Sequence, residues 1–393
     1  MPDTLFSPRS GVSLGTDRPF RAGTQIYATI SPMSSPLRFA IVGCGTIAPT
    51  HAEALAALPP GEAELAACCD VVPERAQAFA ERFHCRPLSY DDALADPGID
   101  AVSVCTPSGL HAELGVQAMH AGKHVVVEKP MDITLDACDR LLQAQRETGR
   151  TLAVISQHRF DPASQGIKQA LDAGELGALV LGDARIPWYR TQEYYDSGDW
   201  RGTWALDGGG CLMNQGVHTV DLLRWLCGPV VTVYAQMRTA AHARIEVEDV
   251  VAATLTFANG ALGTLMASTA AYPGFPARLA VHGTQGSAVI EGDRLHTLAL
   301  QGRATLAGQQ ATEHALQVAQ GGTRAAAQHA GSIQAAADPS AVWGDAHRAQ
   351  LQDFIRCCRT GETPLVDGQE GRSAVELVLA VYESARRGQE VRL

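Results

Sequence analysis

The chain has 393 residues, 46% of them apolar and 19% charged, which is enough for two domains with substantial cores and too apolar for intrinsic disorder. A formal net charge of −11 has the wrong sign for a general binder of phosphate backbones, and no apolar run approaches the roughly 18 to 20 residues that a membrane-spanning helix needs. Neither nucleic acid nor membrane is an expected partner, and ten cysteines placed singly or as adjacent pairs, without a Cys-x-x-Cys, predict a reducing cytoplasm with no zinc site or disulfide framework.

Residues 1 to 36 are rich in Ser, Pro, Gly and Thr, lack apolar periodicity, and read as a loose tail with no export signal; Met33 is a candidate start of translation. From Leu37 onward, short apolar runs alternate with helical stretches. Strands are expected at Leu37–Val42, Glu64–Cys69, Ala101–Cys105, His124–Val127 and Leu152–Ile155. Helices are expected at His51–Leu58, Pro73–Phe83, Leu110–Ala121 and Thr134–Thr148. Near-continuous apolar strands joined by helices predict an α/β fold, a doubly wound parallel sheet over residues 37–156. Beyond it strand-like runs dominate, at Leu179–Ile186, Val230–Met237, Asp249–Phe257, Ala261–Thr269, Arg278–Gly283 and Ser287–Glu291, with Asn259-Gly260 as a hairpin signal. A second α/β domain over 157–393 with a largely antiparallel open sheet follows. It is expected to carry a helix around Met213–Leu226, a loosely packed Ala/Gln-rich excursion at 301–340, and closing helices at Ala346–Thr360 and Glu370–Arg387.

The first strand runs into Gly43-Cys44-Gly45-Thr46-Ile47-Ala48 and then a helix. In that setting Gly43 permits a tight turn, Gly45 lets the backbone approach a pyrophosphate, and small Ala48 lets helix and strand pack closely. The helix start at Thr46 and Ile47 supplies amide donors to an anion. Asp70 closes the second strand 22 residues after Ala48, where a carboxylate can bind both ribose hydroxyls of an unphosphorylated adenosine. NAD is the expected cofactor; Arg75 nearby leaves NADP open.

Only three of the 31 basic side chains are lysines, namely Lys123, Lys129 and Lys168. Arginine serves wherever a solvated positive charge suffices but cannot be deprotonated in a working site, so each lysine needs a reason. Lys123 and Lys168 lie in polar stretches and read as surface residues. Lys129, in Glu128-Lys129-Pro130, stands at the C-terminal edge of the fifth strand, where doubly wound sheets place ligands. Beside an oxidised nicotinamide, like charge and desolvation both lower a lysine's proton affinity, which makes it an acid or base near neutral pH. Further along, Asn214 and His218 are four apart and share a face if helical, with Asp221 three further on. A histidine beside an amide can shuttle a proton and orient a hydroxyl, although the spacing is equally compatible with a histidine satisfied in a core.

Together these motifs resemble the Gfo/Idh/MocA oxidoreductase family. The resemblance runs from Leu37 to the C-terminus. It rests on the glycine loop, Cys105-Thr106-Pro107 with His111, Ala121-Gly122-Lys123-His124 leading into Glu128-Lys129-Pro130, Arg159-Phe160, and the stretch from Gly208 to Asp221. It implies an N-terminal Rossmann domain, a C-terminal domain whose open sheet assembles a homo-oligomer (dimer or tetramer), and hydride transfer between a C–OH group and the nicotinamide. By the family pattern Lys129 assists proton transfer and binds substrate, His218 is the second acid/base, and Thr106, Pro107, His111 and Glu128 line the nicotinamide side. Many members have aspartate where Asn214 stands. An amide cannot accept a proton at pH 7, so the load shifts to Lys129 and His218.

Asn214-Gln215-Gly216-x-His218 with Trp188-Tyr189-Arg190, Tyr194-Tyr195 and Trp200-Arg201-Gly202 looks like the branch containing UDP-N-acetylglucosamine-type uronate 3-dehydrogenases and related sugar dehydrogenases. That resemblance puts Arg159, Tyr189, Arg190, Trp200, Arg201 and Asn214 on the substrate side. Aromatic faces suit sugar C–H surfaces and arginine suits a carboxylate or phosphate, while the same aromatics also suit a core or subunit contact. The expected substrate is a sugar, nucleotide sugar or cyclitol. An NAD-dependent glycosidase and a non-catalytic nicotinamide sensor are the alternatives, the latter being expected to lack the lysine or histidine present here.

Overall fold

The computed structural model describes residues 35–308, 310 and 344–393. The expected tail up to residue 34, Met33 with it, and most of the 301–340 excursion lie outside the described residues. Six strands form the first sheet: β1 (Leu37–Val42), β2 (Ala63–Cys69), β3 (Arg86–Pro87), β4 (Ala101–Val104), β5 (His124–Val127) and β6 (Leu152–Val154). They are parallel throughout, in the order β3-β2-β1-β4-β5-β6. The connecting helices are α1 (Ala48–Ala56), α2 (Pro73–Phe83), α3 (Tyr90–Ala95), α4 (His111–His120) and α5 (Leu135–Thr148). Successive strand residues face opposite layers. Phe39 clusters with Leu55 and Ile41 with Ala52 on the α1 side, while Ala40 and Val42 belong to the large cluster that holds Met119 and Leu141 of α4 and α5. The strand order reverses between β1 and β4, so a crevice opens beyond their C-terminal ends.

The second sheet contains β7 (Leu179–Pro187), β8 (Val230–Arg238), β9 (Val250–Phe257), β10 (Leu262–Ser268), β11 (Arg278–Gly283), β12 (Gly286–Glu291), β13 (Arg294–Leu300), β14 (Leu306–Ala307) and β15 (Val391–Arg392). Its order is β14-β13-β12-β11-β7-β10-β9-β8-β15, antiparallel except where β7 meets β10. Alternation in β9 turns Val251, Leu255 and Phe257 into the core. Tyr234, Leu262 and Met266 are exposed on the opposite face. The helices here are α6 (Pro162–Asp172), α7 (Gln192–Asp196), α8 (Val217–Cys227), α9 (Gly344–Thr360) and α10 (Gly368–Arg387). Helix α9 returns to the first sheet, where Leu351, Phe354 and Ile355 pack against Phe39, Leu55 and Leu58. Just ahead of α10, Val366 accepts a hydrogen bond from Val154 N–H at 3.1 Å and Asp367 pairs with Ala153, covering the β6 edge.

Several expectations are revised. The second sheet extends three strands further than expected, through β13, β14 and β15. The helix expected around Met213–Leu226 is two pieces, a wide π-type turn at Cys211–Gly216 followed by α8, so Asn214 and His218 are not joined by regular helical spacing. Lys123 is not a surface residue. It is 6% exposed, and its ammonium donates to the main-chain oxygens of Asp96 (2.7 Å) and Ile99 (2.9 Å), closing the turn before β4.

Candidate functional site

The crevice at the β1/β4 reversal widens into a cavity of about 1840 Å³, lined from both sheets and from the start of α9. At its dinucleotide end Gly43 has φ +90°, and a Cβ there would lie 2.8 Å from the main-chain oxygen of Cys105, so only glycine fits. Gly45 has no neighbour within 4 Å of a Cβ position, leaving bare backbone open to a ligand at the start of α1. Asp70 is held at the end of β2 by two main-chain donors, Cys44 N–H and Val72 N–H, each at 2.8 Å. Each oxygen keeps a lone pair for a further donor. Thr46, Ile47, Arg75, Thr106 and Pro107 line the same end. The Thr106 hydroxyl is buried with no partner among the described residues. A bare glycine cradle, an immobilised carboxylate and an unpaired hydroxyl fit a dinucleotide. Replacing Asp70 with asparagine is expected to weaken NAD binding about tenfold and to narrow the gap to NADP, read by calorimetry; equal affinities in parent and variant would remove Asp70 from the ribose.

Lys129 and His218 line the cavity together although one follows β5 and the other opens α8. The Lys129 ammonium donates to the main-chain oxygen of Asn214 at 2.9 Å, tying the first sheet to the π-type turn. Burial lowers its pKa, with Glu128 and Asp207 opposing. His218 is held well below the usual histidine range by burial first, then by Lys129 and His158. Its Nδ1 has no partner among the described residues. The site therefore offers an uncharged imidazole beside an amine.

The carboxylate absent at position 214 is supplied one step behind it. Asp207, 2% exposed, accepts hydrogen bonds from the Asn214 side-chain amide and from Gly202 N–H at 2.9 Å. Burial pushes its pKa up to about 6, against those donors and Lys129. The only signal for it in the sequence is its place directly before Gly208-Gly209-Gly210. That run permits a very close approach, since a Cβ on Gly210 would sit 1.9 Å from the main-chain oxygen of Glu248.

Glu128 anchors Lys129 from behind. Its Oε2 accepts Lys129 N–H at 3.0 Å, while its Oε1 lies 2.8 Å from Nε2 of His51 and 3.6 Å from Nε2 of His347 on α9. Burial alone would raise the pKa of this carboxyl, but the His347 and His51 imidazoles outweigh it and hold it well below its ordinary range. Both His51, Glu128 and His347 and a second group, His158, Asp161 and Asp293, bring ligand-type atoms within 4.8 Å of one another. Within them, His51 pairs with Glu128 at 2.8 Å and His158 with Asp161 at 2.7 Å.

On the far wall Arg190 donates to Gln215 Oε1 at 3.0 Å and lies over Trp188 (5.1 Å) and Tyr194 (5.7 Å). Arg201 donates to the Tyr194 hydroxyl at 2.7 Å and lies over Tyr194 (4.4 Å) and Trp200 (4.7 Å). All six line the cavity. The aromatic rings hold both guanidinium groups at the cavity wall.

Three expected site residues stand elsewhere. Arg159 is 1% exposed and does not line the cavity; it donates to Asp221 through Nε (2.8 Å) and Nη2 (2.6 Å) and to Glu370 (2.7 Å), a buried ion pair that also accounts for Asp221. Tyr189 packs edge-to-face on Tyr272 at 5.2 Å, outside the cavity lining. His111 is 1% exposed, and its ring nitrogens lie 2.8 Å from the Pro130 carbonyl and 2.9 Å from the Thr106 carbonyl, bracing the two nicotinamide-side loops from beneath without lining the cavity.

Residues 37–156 match the oxidoreductase family with an NAD-binding Rossmann fold, and residues 164–289 match the GFO/IDH/MocA C-terminal domain. The NAD(+)-dependent scyllo-inositol 2-dehydrogenase of Bacillus subtilis (strain 168) is 30% identical over 372 residues, covering 92% of this chain and 97% of the relative. Among solved structures, the WlbA dehydrogenase of Bordetella pertussis in complex with NADH and UDP-GlcNAcA is 34% identical with a TM-score of 0.78, covering 91% of this chain and 98% of that one. A WlbA dehydrogenase from Chromobacterium violaceum, with the same two ligands, is 33% identical with a TM-score of 0.77, covering 92% and 96%.

Proposed function

The chain belongs to the Gfo/Idh/MocA oxidoreductases, a family that binds NAD, and on that premise we propose that it oxidises a secondary hydroxyl of an anionic nucleotide sugar. The observation that carries this reading is the Trp188–Arg190–Tyr194–Trp200–Arg201 wall beside Lys129 and His218, in one cavity of about 1840 Å³. Pockets for a single small ligand run to roughly 300–1000 Å³, so the cavity has space for a dinucleotide and a second large ligand. Two stacked guanidinium groups favour a substrate carrying carboxylate or phosphate, and the aromatic rings favour sugar and base faces. The UDP-GlcNAcA complex of the Bordetella relative supports the same substrate class.

NAD, when bound, supplies the hydride acceptor. In our reading the uncharged His218 imidazole takes the hydroxyl proton, and the Lys129 ammonium steadies negative charge developing on the substrate oxygen. Asn214 donates one amide hydrogen to Asp207, which fixes the face it turns to the substrate. Glu128 holds Lys129 in place through its main-chain N–H.

We also divide the chain into a dinucleotide lobe at 37–156 and a substrate lobe at 157–393, working as a cytoplasmic homo-oligomer. The exposed Tyr234, Leu262 and Met266 on the outer sheet face support assembly, and ten cysteines without a disulfide support a reducing compartment. The test is NADH formation against a panel of UDP-linked uronates, neutral UDP-sugars, free sugars and cyclitols. UDP-linked uronates are expected to give the highest kcat/KM, and Arg201→Ala is expected to raise KM for them about tenfold with little change in kcat. A neutral free sugar or cyclitol preferred over every nucleotide sugar overturns the assignment.

A further inference from the structure

His158, in the 3₁₀ turn Gln157–Phe160 after β6, lines the cavity and stands edge-to-face against His218, with ring centroids 5.1 Å apart and planes at 88°. Two carboxylates meet it from different parts of the fold. Asp161, at the start of α6, places Oδ2 2.7 Å from its Nδ1. Asp293, in the turn between β12 and β13, places Oδ1 3.5 Å from the same nitrogen. Gly292, Asp293, Arg294 and Leu295 all line the cavity, so this turn of the second sheet reaches the reaction centre. Neither the glycine loop nor the lysine motif accounts for the arrangement.

We propose that His158, clamped by Asp161 and Asp293, is a positioning residue for His218, bracing its ring edge-on and placing a fixed positive charge beside it. The proposal rests on the reading of His218 as the proton acceptor. A charge one ring away repels a proton from His218, and the low dielectric of a half-buried cleft strengthens that repulsion. Burial disfavours a charged His158, but Asp293 and Asp161 outweigh it and raise its pKa to about 9. His158 therefore remains cationic at neutral pH while its neighbour remains neutral. The other charged groups acting on His218 are Lys129 and Glu128 at the end of β5 and His347 on α9. Asp221 on its own helix is engaged by Arg159 and Ser156. His158 adds to the effect of Lys129 and opposes that of Glu128.

The test uses the NAD-loaded enzyme and two variants, His158→Gln and Asp293→Asn, the second lying at a half-exposed turn whose loss leaves the core untouched. The His218 ring is followed by NMR against pH, assigned by comparison with His218→Gln, and the acidic limb of kcat/KM is measured alongside. In H158Q the His218 titration is expected to rise by at least about one pH unit, with the acidic limb moving the same way; in D293N, where Asp161 still keeps His158 cationic while His218 titrates, the His158 titration followed in the same spectra is expected to fall and that of His218 not to rise. A His218 titration unmoved in folded H158Q, or a His158 titration unmoved in folded D293N, overturns the proposal. The NMR titration needs no turnover, so it separates this result from failure of the function itself, which would show as full activity in H218Q.

Discussion

Replacing Lys129 with alanine is expected to lower kcat at least about 10³-fold while NAD affinity stays within a few-fold of the parent. The two effects separate because the glycine loop, Asp70 and the Thr106–Pro107 turn, which we propose hold the dinucleotide, line one end of the cavity, whereas Lys129 reaches across to meet Asn214. Arginine at the same position keeps the charge, but its planar fork does not reproduce the point contacts of an ammonium with the Asn214 carbonyl and the substrate oxygen. Lys129→Arg is therefore expected to recover little of the loss. Steady-state kinetics with the best substrate of the panel and a calorimetric titration of NAD give both readouts. Parent-like turnover in K129A would remove the lysine from the chemistry.

The largest stability effect is expected at a residue outside the cavity lining. Asp221→Ala leaves the 1% exposed guanidinium of Arg159 with only Glu370, which is shared with Arg224, and with the Trp225 ring beneath it at 5.4 Å. Breaking a buried pair from one side costs about 3–5 kcal/mol, because a charge remains out of water without its partner. The urea midpoint should fall accordingly. Removing both partners, as Arg159→Met with Asp221→Leu, is expected to regain much of the loss, since apolar groups of similar volume replace a buried pair at little cost. An Asp221→Ala midpoint within experimental error of the parent would show that the pair does not stabilise the fold.

Much of the first sheet is legible in the sequence because its strands are continuously apolar and its helices carry their own punctuation. Pro73 opens α2 as its first residue, and Thr134 and Gly149 cap α5. Lys129 is legible because an arginine-biased chain placed a lysine at the end of a strand. The surroundings of these residues are not legible. Asp207, His158, Asp293 and His347 come from a glycine run, a 3₁₀ turn, a hairpin tip and a C-terminal helix, and only the tertiary fold brings the last three to one cavity and sets Asp207 behind Asn214. The helical spacing assumed between Asn214 and His218 fails for a local reason, the extra width of the Cys211–Gly216 turn. Arg159 and His111 show the opposite error. Both sit in motifs beside the site, and both are consumed by internal partners that periodicity cannot reveal.

The return of α9 to the rear of the first sheet also sets the order in which this molecule can be built. Phe39 leaves the ribosome hundreds of residues ahead of its aromatic neighbour Phe354, 6.0 Å away in the fold. Until that segment emerges, the nascent dinucleotide lobe presents Phe39, Leu55 and Leu58 without their cover, a sticky patch of the kind that chaperones engage. Synthesis of α9 is thus part of completing the first sheet.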